Sequence, residues 1–212
     1  MSLDPSLSPL PSPSRSPATA REHEVVLVRH GETAWSRAGR HTGRTDLPLT
    51  EAGEAEARRL EPALAGRFFA QVLCSPLQRA RRTCELAGLA PQAAFDPDLQ
   101  EWDYGLYEGL TSPQIHAEVP GWLVFRDGCP EGETPEAVAA RVDRVIERVR
   151  AVDGPVALFA HGHLLRVLAA RWLGLPAAAG AHLLLDTSTL STLAWYQGVP
   201  ALGCWNAPLV QS

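Results

Sequence analysis

Two segments of the chain share a pattern that limits what it can fold into: Val25-Val26-Leu27-Val28-Arg29-His30-Gly31 and Val156-Ala157-Leu158-Phe159-Ala160-His161-Gly162. In each, a short apolar run stops abruptly and delivers a His-Gly. Runs of this length and sharpness read as strands buried on both faces. Such strands belong to parallel sheets covered by helices. The intervening sequence supplies the cover. Thr50 with Glu51 and Glu54 opens an Ala-, Arg- and Leu-rich helix to Ala65. Gln71 to Cys74 is a second strand, ending at Ser75-Pro76, and a helix from Leu77 to about Ala87 stops at Gly88. Phe95 to Leu99 reads as a third strand and Thr111 to Glu118 as a short helix. Thr134 to Val152 is a long helix with Val138, Val142, Val145 and Val149 on one face. After the second His-Gly strand come a helix from His163 to Leu173 and strands near 182–187, 190–197 and 200–205. The expected fold is α/β, a mainly parallel central sheet with helices on both faces and a hairpin near its C-terminal edge. Sheets of this kind bind ligands at the carboxyl ends of their strands.

Residues 1–21 carry Pro5, Pro9, Pro11, Pro13 and Pro17 among serines and have no apolar face to bury. They read as a disordered tail, and residues 22–212 as one domain. A formal net charge of -5 argues against nucleic acid or an anionic membrane as the partner. No apolar stretch is long enough to span a bilayer. The first residues lack the order of a signal peptide. Cys74, Cys84, Cys129 and Cys204 show no paired spacing. A cytoplasmic protein, monomer or homodimer, is expected.

Placed side by side, the two His-Gly strands present two imidazoles to one pocket. Each glycine lets the backbone approach a ligand and leaves an N–H for it. The second strand end adds Ser75-Pro76-Leu77-Gln78-Arg79, with Arg79 in the first turn of its helix, a place suited to phosphate oxygens. Another strand end adds Glu101-Trp102. Arg29, His30, Arg79, Glu101 and His161 then form a cationic cradle with one carboxyl group. Two arginines and a protonated His161 would neutralise a phosphate ester, while the same field keeps His30 uncharged and nucleophilic. Attack on phosphorus would give a phosphohistidine that water cleaves, with Glu101 as proton donor and then acceptor.

Taken together, Arg29-His30-Gly31-Glu32-Thr33, Thr42-Gly43 with Asp46 to Gly53, Ser75 to Ala80, Glu101 to Gly105 and Ala160 to His163 resemble the histidine phosphatase superfamily. That superfamily includes the cofactor-dependent phosphoglycerate mutases. The resemblance covers about residues 24–205 and implies a phosphoglycerate mutase-like fold. By position it implies that His30 is phosphorylated, that Glu101 donates the proton, and that Arg29, Arg79 and His161 complete the phosphate pocket. Thr42, Gly43, Tyr104 and the Gly162 backbone would contact substrate. Ser36 stands where the family commonly has asparagine.

The narrower likeness of Glu101 to Thr111 and of Phe125 to Glu133 is to sedoheptulose-bisphosphatase-like enzymes and actinobacterial acid phosphatases. It implies a phosphatase acting on a small phosphorylated metabolite, without metal or cofactor. The alternative is a mutase-type isomerase dependent on a bisphosphate cofactor. Leu110-Thr111-Ser112-Pro113 lacks the Asn-Lys pair and the longer insertion of the mutases. Residues Trp122 to Glu133 are expected to lie over the pocket and set specificity. His161 and His163 have the spacing of a metal pair, but no further ligand at matching spacing follows. His163 reads as a helix cap, His41 as loop surface, Trp122 as packing, and Glu108 as a structural carboxylate.

Overall fold

The computed structural model describes residues 23–209. The expected tail over 1–21 lies outside them. In chain order the helices and strands are β1 (Val25–Arg29), α1 (Ala34–Arg37), α2 (Glu51–Arg58), α3 (Leu60–Leu64), β2 (Gln71–Cys74), α4 (Gln78–Leu86), β3 (Ala93–Phe95), α5 (Ser112–Glu118), α6 (Val124–Asp127), α7 (Pro135–Arg150), β4 (Val156–Ala160), α8 (Gly162–Trp172), β5 (Leu190–Tyr196) and β6 (Val199–Ala207). One six-stranded sheet runs β3-β2-β4-β1-β5-β6. β3, β2, β4 and β1 are parallel, while β5 and β6 run antiparallel and form the C-terminal hairpin, so the sheet is mixed.

Alternation along β1 divides the core. Val25 and Leu27 join Leu158 and the buried face of α7 and α8, including Val138, Val142, Leu164 and Leu168. Val26 and Val28 join Ala157, Phe159 and residues of α2, α3 and α4 such as Ala57, Leu60, Ala80 and Cys84. Helices therefore cover both faces, and Cys74 and Cys84 serve as small buried apolar groups.

Three boundaries depart from expectation. The helix expected over 51–65 is two helices broken at Arg59. Pro62 lacks the N–H that would bond Arg58, and its ring crowds that carbonyl. The third strand ends at Phe95 rather than starting there, because Asp96 caps a 3-10 turn opened by Pro97 (Pro97–Leu99). Residues 182–187 form no strand. A 3-10 segment (Ala177–His182) leads into extended chain that Arg29 engages through the Leu185 carbonyl.

Candidate active site

The site grows from the β1–β4 pairing. Arg29 stands opposite Ala160, and the His30 N–H donates to the Ala160 carbonyl at 3.0 Å. The two His-Gly ends thus emerge together, with the rings of His30 and His161 centred 5.1 Å apart. The His30 Nδ1 lies 2.7 Å from the Gly31 carbonyl, which can only accept, so Nδ1 carries the hydrogen and Nε2 the lone pair. Burial, then Arg79 and Arg29, hold the His30 pKa well below its ordinary value.

His161 differs from expectation. Its Nδ1 accepts from Arg79 Nε at 3.1 Å, and its Nε2 donates to the Ser75 hydroxyl at 2.7 Å. Burial and Arg79 push its pKa well down. Both nitrogens are occupied and the ring is neutral, so it supplies no positive charge to the pocket.

Arg79 is also placed differently. It is fully buried, and its other N–H groups donate to the carbonyls of Thr45 at 2.9 Å, Thr42 at 3.1 Å and Gly43 at 2.9 Å. It braces residues 42–45 and sets the field around both imidazoles instead of lining the cleft. Gly43 stands behind the wall as well. Its N–H donates to the Glu108 carboxylate, and a Cβ there would approach the Trp102 carbonyl to 2.4 Å. Glu108 thus has the structural part expected of it, binding Thr45 N–H too.

The cleft itself has a volume of about 240 Å³, and Arg29, His30, Ser36, Thr42, Glu101, Tyr104 and Gly162 all line it. Arg29 donates to Leu185 from one guanidinium nitrogen, while its buried Nε has no partner. Its side chain passes beside Gly162, the first residue of α8. Glu101 follows the 3-10 turn rather than a strand. Its carboxylate accepts from the N–H groups of Trp102 (2.9 Å), His163 (3.0 Å) and Leu164 (2.9 Å), and so caps α8. Ser36 is committed to a capping box with Thr33, and the Thr42 hydroxyl donates to Arg40 at 3.2 Å. Tyr104 is buried, its pKa pushed well up by burial and Glu101, and its hydroxyl bonds His163 Nδ1 at 2.5 Å.

Gly31 leaves no N–H for a ligand. That group donates to the Thr83 hydroxyl at 3.0 Å, and a Cβ on Gly31 would meet the Gly53 carbonyl at 2.4 Å.

Sequence reasoning missed part of the wall. Arg40, His41, His163, Arg166 and Leu185 also line the cleft. His41 is buried against Tyr104 and Trp122 instead of lying on the surface, and burial lowers its pKa to about 4. His163 caps nothing with its ring. Arg166 donates to the Gly180 and Ala181 carbonyls and lies over the Phe125 ring at 4.4 Å. Residues 122–133 do not cover the pocket. Trp122 and Phe125 are buried behind its wall, their edges against His41 and His163. Among the described residues no group of three or more His, Cys, Asp or Glu is placed to hold a metal ion. A larger cavity, about 590 Å³, lies between α4 and β3 beside Cys74, Cys84 and Phe95, and none of the candidate residues lines it.

The sequence pattern of the histidine phosphatase superfamily (branch 1) matches residues 25–208, which include every one of these site residues. The chain belongs to the histidine phosphatase superfamily. Within that superfamily it is 40% identical over 193 residues to an acid phosphatase of Mycobacterium tuberculosis, covering 86% of this chain and 91% of that one. It is 38% identical over 186 residues to the sedoheptulose 1,7-bisphosphatase of Saccharomyces cerevisiae, covering 71% and 67%. A solved structure of an open-reading-frame product of Mycobacterium tuberculosis superposes with a TM-score of 0.85 at 38% identity, over 90% of this chain and 100% of that one.

Proposed function

We propose that this histidine phosphatase hydrolyses monoesters of small phosphorylated metabolites, sugar phosphates foremost, through a phosphohistidine on His30. The observation that carries the reading is the state of His30: a neutral ring, Nδ1–H tied to Gly31, with Nε2 unprotonated in a cleft lined by Arg29, Arg40 and Arg166. These guanidinium groups replace the expected charge of His161 in neutralising the phosphoryl oxygens. His30 Nε2 attacks phosphorus as the bond to the leaving oxygen breaks, and Glu101 protonates that oxygen. Water then attacks the phosphohistidine, gives its proton to Glu101, and the P–N bond breaks. Thr42 and Tyr104 contact the substrate, while Ser36, Gly43, Arg79 and His161 hold the pocket in shape. Gly162 leaves room for Arg29.

The name of one relative, an acid phosphatase, supports phosphate hydrolysis, and that of another, a sedoheptulose bisphosphatase, supports a phosphorylated sugar as the substrate class. The four free cysteines agree with a cytoplasmic setting. No helix among the described residues is long and apolar enough to cross a membrane.

The test is a screen of phosphorylated metabolites at several pH values with EDTA present. Phosphate release should survive chelation and fall by a factor on the order of 10³ or more in His30→Ala, the scale of losing a nucleophile. Labelled phosphate should be trapped on His30 by acid quench. Release that persists in His30→Ala overturns the reading. Isomerisation with phosphate retained, stimulated by a bisphosphate, puts the mutase in its place.

A further inference from the structure

The proton-donating carboxyl sits in a segment anchored on one side by the fully buried Leu99 and Trp102 side chains and held on the other by polar groups that grip its main chain. On the far side of residues 97–103 is a cavity of about 180 Å³, lined among others by Leu77, Pro97, Gln100, Glu101 and Asp103. Into that gap reach two side chains that do not line the phosphoryl cleft. Arg141 projects from α7, and all of its guanidinium N–H groups are used. It donates to the carbonyls of Asp98 (2.9 Å), Gln100 (2.6 Å) and Glu101 (3.0 Å), and to both carboxylate oxygens of Glu133 at 2.7 and 2.8 Å.

Glu133 completes the clasp. Its carboxylate accepts from the Asp103 N–H at 2.9 Å, its carbonyl accepts from Trp102 Nε1 at 2.9 Å, and its N–H donates to the Asp103 carbonyl at 2.9 Å. Burial works against its charge, but the hydrogen bond and charge of Arg141 keep its pKa below the ordinary value. From residue 98 to residue 103 the main chain is therefore tied to one ion pair. The hydrogen bonds that Glu101 takes from α8 can orient its carboxyl only while that main chain stays in place.

We propose that Glu133 and Arg141 are positioning residues for proton delivery, setting the main chain of residues 98–103 so that the Glu101 carboxyl meets the leaving oxygen. The inference rests on the reading of Glu101 as the acid. It makes these two residues, remote from phosphate, matter in proportion to how much the leaving group needs a proton.

Two esters in one preparation test this: p-nitrophenyl phosphate, whose leaving group needs little protonation, and glycerol phosphate, whose alkoxide needs it. Their ratio is insensitive to the folded fraction of a variant. In Arg141→Lys and Glu133→Gln, kcat/KM on glycerol phosphate should fall about ten-fold or more, part of the roughly 10²- to 10⁴-fold a positioned acid contributes, with a loss of less than about three-fold on the aryl ester. Adding Glu133→Gln to Glu101→Gln should cost nothing further on glycerol phosphate, since the device would have no acid left to place. Equal losses on both esters in Glu133→Gln, or a further loss in the double variant, overturn the positioning role alone. Equal losses on both esters in Glu101→Gln overturn the acid assignment and the positioning role with it.

Discussion

Gly162 is a glycine because Arg29 occupies the space beside it. A Cβ there would stand 3.2 Å from both Cζ and Nε of the Arg29 guanidinium, closer than side chains ordinarily pack. The position is the first of α8, where only part of the roughly 1 kcal/mol by which helix interiors favour alanine over glycine applies. Stability and function should therefore separate in Gly162→Ala. The helix gain and the cost of moving Arg29 largely offset, so the unfolding midpoint should change little, while inhibition by inorganic phosphate weakens about ten-fold, or about 1.4 kcal/mol, as Arg29 is pushed from its place. Unchanged inhibition would leave Arg29 without its assigned part in binding phosphate. At this scale the site was unevenly legible. His30 and His161 could be read because each follows a buried run and precedes glycine. Arg166 lies four residues beyond Gly162, on the same helix face, so helical periodicity counted from the motif finds it. His41 carries no such signal. Its burial comes from Tyr104 and Trp122, far along the chain.

Elements were legible where one local cause decided them. The apolar runs of β1, β2 and β4 and the valine face of α7 made the sheet and its cover readable. The break between α2 and α3 and the early end of β3 each follow from one proline whose local effect outweighs the pattern around it. How residues 122–133 pack was not readable, because Trp122 and Phe125 are aromatic either over a pocket or behind its wall. The joining of α4 to β1 was hidden too. Thr83 accepts from the Gly31 N–H at 3.0 Å and donates to the Arg79 carbonyl at 2.7 Å, so one hydroxyl ties the helix of Arg79 to the loop of His30. Thr83→Val keeps the shape and orphans a buried N–H, a cost of about 1–3 kcal/mol. Calorimetry should show the midpoint lower by roughly 2–4 °C for each kcal/mol in a domain of this size. A midpoint equal to that of the parent would show that the loop does not depend on this joint.

Across the whole molecule, a net charge of -5 conceals a cleft lined by three arginines and walled or floored by three buried imidazoles, His30, His41 and His161, and a half-buried one, His163. His30, His41, His161 and His163 all have depressed pKa values, with burial the first cause in each. The unfolded chain takes up these protons below about 6.5, whereas the folded chain does not, so stability is complete above that pH and declines as pH falls toward the folded values. For His41 the gap from 6.5 down to about 4 corresponds to about 3 kcal/mol lost by the time pH reaches 4. The midpoint should therefore fall steadily from about pH 7 downward, and His41→Gln should flatten the decline. Sulfate stays a dianion across this range, so its effect reports the protein alone. Bound among Arg29, Arg40 and Arg166, it gives the imidazoles a counter-charge and makes their protonation less costly in the folded state. Binding and proton uptake then reinforce each other, and sulfate should raise the midpoint more at about pH 5 than at about pH 7.5. A midpoint that is flat over that interval, or an equal gain at both ends, would mean that the buried histidines are not what links this cleft to acid.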